Sequence, residues 1–118
     1  MRIVTSYGSR LEELEDDGYI IIIIMRHPFN WMKKNGYVLA KGLSPETEVI
    51  NLRKSNQITE EEFKRRYVDG IDLMLLDRMV KSGADLAFVC CEKNVEDCHR
   101  KYLAERIEEL YGIEVKEY

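Results

Sequence analysis

Residues 19–25 read Tyr-Ile-Ile-Ile-Ile-Ile-Met, an apolar run with no polar position in it. Successive side chains of a strand point to opposite faces, so a strand made of this run is apolar on both. Water tolerates that only if both faces are covered, as in a parallel sheet between two helical layers. A buried helix segment competes for any short apolar run. Here the isoleucine density and the His27-Pro28 that follows favour a strand. The run is far shorter than the roughly 20 residues a membrane-crossing helix needs, so no membrane association is expected.

The rest of the chain supplies the sheet's other members. Residues 2–7, 85–91 and 113–118 read as strands, the last more polar and more exposed. Between them lie helical signals. Ser9 stands where it would cap a helix over 10–16, and Ser44-Pro45-Glu46 has the form of a second helix start. Thr59 followed by Glu60-Glu61-Glu62 has the capping-box pattern. It opens a helical region to Gly83 that Gly70 divides, with Phe63, Tyr67, Ile71, Met74 and Leu75 on one side. A last helix runs from Glu96 to Gly112, with Leu103, Ile107 and Leu110 as its buried stripe. Residues 26–43 look irregular. Alternation with helix-length spacers predicts one α/β domain over 1–118, a three-layer α/β/α sandwich around a mostly parallel sheet of about four strands.

Composition bounds the function. A net charge of −4 argues against an extended nucleic-acid surface. Three cysteines, an odd set without a disulfide-framework spacing, are expected as reduced thiols in a cytoplasmic protein. The opening residues lack the basic-then-apolar order of a secretory leader, which agrees with that location. The exposed final strand is an edge through which a homodimer would pair.

Open parallel sheets bind ligands beyond the carboxyl ends of their strands. Those ends deliver Thr5, Ser6 and Tyr7, then Arg26 and His27, then Cys90, Cys91 and Glu92, whose loop leads to Cys98-His99-Arg100. Cys98, in the first turn of the last helix, is expected to have a lowered pKa and to serve as nucleophile or thiolate contact, with His99 as acid/base. Arg26 and Arg100 form the expected clamp for an anionic or nucleotide-like small molecule, with Tyr7, Cys90 and Glu92 as further contacts. The rival reading is a non-catalytic binding or regulatory module. There Cys98 and His99 are structural, Glu92 pairs with Arg100 or with Lys93, and Tyr67 is core with its hydroxyl reaching out. Trp31 and Pro28 are expected to pack the irregular segment onto the sheet.

Cofactor motifs are missing: there is neither a Gly-rich dinucleotide loop nor a Walker sequence. A phosphatase-type loop needs an arginine six residues after its cysteine, where Glu96 and Asp97 stand. Zinc bound by Cys90 or Cys91 with Cys98 and His99 lacks a fourth ligand, and adjacent helical residues diverge. A structural zinc site is therefore the least favoured of the three readings, and no cofactor or metal is expected.

At these residues the chain resembles the DUF488 family. Cys90-Cys91-Glu92-Lys93, then Cys98-His99-Arg100 and Leu103-Ala104-Glu105, follow its Cys-x-Glu-Lys…Cys-His-Arg pattern. Thr5-Ser6-Tyr7, Arg26, Pro28 with Trp31, and Leu43-Ser44-Pro45 resemble the family branch with an arginine-x-x-proline-x-tryptophan-type segment. Val95 replaces a usual proline, and Met25 stands where other branches carry aspartate. The resemblance implies a small α/β domain with a cysteine-containing pocket, and it supplies no reaction.

Overall fold

The computed structural model describes residues 1–33, 36–92 and 98–118. The expectations attached to Lys93, Val95, Glu96 and Asp97 lie outside those residues. Five parallel strands form one sheet in the order β3-β2-β4-β1-β5. They are β1 (Ile3–Tyr7), β2 (Ile20–Ile23), β3 (Val38–Leu39), β4 (Leu86–Cys90) and β5 (Lys116–Glu117). The helices are α1 (Leu11–Asp16), α2 (Thr47–Lys54), α3 (Glu60–Gly70), α4 (Leu73–Lys81) and α5 (Arg100–Tyr111).

β4 is buried along its whole length, and β2 from Ile21 onward. Both faces are therefore covered, as the isoleucine run requires. The right-handed rule for parallel crossovers assigns α1, which leads from β1 to β2, to one face. By the same rule α5, which leads from β4 in the opposite direction to β5, belongs to the other. α3 packs against α5, and the Tyr111 hydroxyl donates to Asp77 on α4. Among the described residues no helix is long and apolar enough to cross a membrane.

Several local expectations change. The segment 26–43 contributes the short edge strand β3, paired through Ile22 with Val38 and Ile23 with Leu39, so the sheet has five strands. Ser9 and Ser44 do not cap helices. α1 and α2 lack a side-chain cap, and the Ser44 hydroxyl turns back to the Lys41 carbonyl at 2.6 Å. Thr59 does cap α3, accepting from the Glu62 N–H.

The long helical region breaks just after Gly70. Ile71 is extended, Asp72 donates its N–H to the Gly42 carbonyl, and the Asp72 carboxylate accepts from the Leu75 N–H to start α4. The break resets the helical phase. Met74 is 73% exposed, while Leu76 and Val80 face the core. Leu110 is likewise exposed at the end of its stripe. Tyr67 is buried and donates inward to the Leu43 carbonyl at 2.7 Å. Trp31 is exposed, stacks on Phe29, and lies over Gly8, where a Cβ would stand 2.6 Å from its ring.

Candidate functional site

The chain leaves β2 toward β3 on one side of the sheet and leaves β4 toward β5 on the other. Neighbouring strands that part in opposite directions open a crevice at their carboxyl ends. A cleft of about 610 Å³ lies there, a volume suited to a small-molecule ligand. Met25, Arg26 and His27 enter it from the end of β2, and Cys91 and Glu92 from the end of β4. Cys98 and His99 line it at the start of α5, and α2 and α3 close it from above with Arg53, Lys54, Glu60 and Phe63.

The charges in this cleft are unequally satisfied. Arg53 pairs with Glu60 at 2.9 Å, and Glu60 also accepts from the Tyr102 hydroxyl. That hydroxyl, then Arg53 and Lys101, holds the Glu60 carboxyl below its ordinary pKa against the opposing effect of burial. Arg26 instead donates to two carbonyls, Nε to Pro45 at 3.3 Å and Nη2 to Ser44 at 3.4 Å. It lines the cleft, and among the described residues it has no carboxylate partner. His27 shares a 2.9 Å hydrogen bond with the Thr47 hydroxyl on the same wall.

His99 is anchored through Nε2, 2.7 Å from the Ile24 carbonyl. A carbonyl only accepts, so Nε2 carries the proton and Nδ1 keeps its lone pair. That Nδ1 is 3.8 Å from the Cys98 sulfur. Tyr67 packs edge-on against the ring at 5.1 Å. Burial pushes the His99 pKa down to about 4, with the Arg100 charge adding and the Ile24 carbonyl opposing. The imidazole is therefore neutral near pH 7.

The adjacent residue goes the other way. His99 is the N-cap of α5 and Arg100 its first residue, about 100° round the axis. Arg100 is fully buried and forks onto Glu117, Nε to Oε1 at 3.1 Å and Nη2 to Oε2 at 2.8 Å. Its Nη1 donates to the Cys90 sulfur at 3.1 Å and to the Glu92 carbonyl. Tyr7 lies beneath the same guanidinium, 5.9 Å away. The predicted site residues thus divide. Arg26, Glu92, Cys98 and His99 meet at the cleft, whereas Tyr7 and Arg100 sit behind it with Glu117.

Cys90 is buried at the end of β4 and joined to Cys98 by a disulfide. This differs from the expected set of three free thiols, and Cys98 is only 5% exposed. The sequence brought the strand end and the helix start to one crevice, but an odd set of three cysteines did not reveal which two pair. Cys91 is the free thiol, exposed in the cleft, and burial followed by the Glu92 charge raises its pKa. The Cys90 and Cys98 sulfurs and a His99 ring nitrogen lie within 4.8 Å of one another. Adjacent helical residues do diverge, but Cys98 precedes α5, and its side chain converges with that of His99.

The family model DUF488-N3a, described as the active DUF488-N3 subclade, matches residues 3–110. The chain belongs to the DUF488 family. No curated protein and no solved structure matches it. The matched span of this DUF488 protein takes in the whole cleft and ends before β5, the strand carrying Glu117. Sequence reasoning missed Glu117 as the partner of Arg100, and Arg53, Lys54 and Tyr102 as cleft residues. The basic last turn of α2 was the available signal for the first two of these cleft residues.

Proposed function

We propose that the cleft binds an anionic, nucleotide-like small molecule, with Arg26 as its charge anchor. The observation that carries this reading is the Arg26 guanidinium, which stands at a strand's carboxyl end and, among the described residues, donates to carbonyl oxygens and meets no carboxylate. A planar cation with unused donors matches phosphate or carboxylate. Lys54 adds charge at the rim, and Phe63 and Tyr102 offer ring surface for a base or another flat group.

The Cys98–His99 pair makes the site thiol-dependent. With Cys98 reduced, the neutral His99 Nδ1 is placed to accept a hydrogen bond from its thiol and orient the sulfur as nucleophile or ligand contact. The description of the matching subclade as active agrees with a working site. The alternative, a binding or regulatory module without catalysis, keeps the same anion contacts and makes Cys98 structural. The Cys90–Cys98 link and the burial of Arg100 favour it.

Calorimetric titration with inorganic pyrophosphate and with nucleoside mono- and diphosphates tests the anchor. Arg26→Gln should weaken binding at least tenfold, the loss of one charge-assisted contact. Unchanged affinity in this variant refutes the reading. Cys98→Ser separates the alternatives: lost turnover with binding kept supports chemistry at the thiol, and affinity moved only in step with stability supports the module.

A further inference from the structure

Cys90, Cys98 and His99 do more than neighbour one another. The imidazole has its Nε2–H committed to the Ile24 carbonyl, which fixes the tautomer and turns a bare Nδ1 toward the Cys98 sulfur. This is how metal-binding histidines are held: one nitrogen anchored to a backbone acceptor, the other free to ligate. The Cys90 sulfur accepts an N–H from Arg100, a contact that suits a thiolate. The Cα atoms of the two cysteines stand 7.3 Å apart. That is wider than the usual disulfide span of about 4.4–6.8 Å. Two metal–sulfur bonds of about 2.3 Å each fit such a spacing readily.

We propose that the reduced protein binds one thiophilic divalent metal ion, of the zinc class, through the Cys90 and Cys98 sulfurs and His99 Nδ1. Cys98 and His99 line the cleft, so the fourth coordination position opens into it. Three protein ligands with one open position is the arrangement of catalytic rather than purely structural zinc. A phosphine first supplies two electrons to the disulfide, water supplies the two protons that make the two thiols, and the water oxygen leaves on the phosphine oxide. Metal binding then displaces one proton from each of the two thiols, and the His99 lone pair binds without proton loss. In this state Cys98 is a thiolate ligand, and disulfide formation and metal binding exclude each other. The site stands independently of anion recognition, because it needs no ligand in the cleft.

The test uses the full chain, reduced with a phosphine, freed of metal and titrated anaerobically with cobalt(II). Thiolate-to-cobalt charge-transfer absorption with tetrahedral d–d bands, saturating at one ion per chain and displaced by zinc, is the expected result. Cys98→Ser should abolish the charge-transfer band or weaken binding at least 100-fold, and Cys91→Ser should leave both unchanged. Should Cys98→Ser fold poorly, alkylation mapping of the wild type decides. Bound zinc must protect Cys90 and Cys98 while Cys91 is modified. An absent charge-transfer band in the reduced wild type, cobalt binding retained by folded Cys98→Ser, or equal alkylation of all three cysteines with and without zinc overturns the proposal. Pyrophosphate binding lost in Arg26→Gln with the cobalt spectrum intact shows that the two sites fail separately.

Discussion

His99 and Arg100 are adjacent in the chain, yet their side chains end in different environments, and each predicts its own response. Burial lowers the His99 pKa from its ordinary 6.5 to about 4. The unfolded chain then binds this proton more tightly than the folded one between those values. The stabilising contribution is therefore complete above about pH 6.5 and is lost as pH falls toward 4, by at most about 3 kcal/mol. Urea unfolding of the metal-free protein across that window should show stability falling with acid. His99→Gln, which keeps an N–H for the Ile24 carbonyl, should flatten the slope. Cys91 carries a second expectation. Burial and the neighbouring Glu92 raise its pKa. Its alkylation should therefore be slower than that of an unperturbed thiol at pH 8, and Glu92→Gln should speed it. A faster wild-type reaction contradicts that electrostatic picture.

At the scale of elements, the break between α3 and α4 determines which face of each helix is buried. Asp72 holds the break in two ways, as N-cap of α4 and as the partner of the Gly42 carbonyl. Asp72→Ala removes the side-chain cap and should cost about 1 kcal/mol. Gly42→Ala should cost more, because its new Cβ would stand 2.9 Å from the Asp72 Cβ and force the two segments apart. Chemical denaturation of both variants checks the order, and a milder Gly42→Ala would mean the segments yield easily. The sequence shows β2 and β4 clearly, since runs apolar on both faces leave little else to form. It hides β3, whose two residues are exposed and whose strand identity comes only from pairing with Ile22 and Ile23. The same limit applies to the cleft. Arg26 and His99 were legible as strand-end and helix-start residues, whereas Arg53 and Lys54 join them only because α2 folds over the strand ends.

For the whole molecule, the last strand connects the chain's two ends. β5 pairs with β1, the Tyr118 N–H donates to the Thr5 carbonyl, and Glu117 accepts from both Thr5 and Arg100. The sheet edge and the start of α5 are thereby coupled through one carboxylate. Removing its charge takes the Glu117 carboxylate away from a fully buried guanidinium, which costs more than removing both charges of the pair. Glu117→Gln should therefore destabilise by about 2–3 kcal/mol, below the value for a fully buried pair because the Glu117 side chain is 34% exposed. Arg100→Met, which replaces the buried charge with an apolar chain of similar length, should cost less. The double variant should lie close to Arg100→Met alone, since the amide introduced on β5 then leaves no buried cation uncompensated. Additive losses in urea unfolding would mean that Glu117 acts through β5 pairing rather than through the guanidinium.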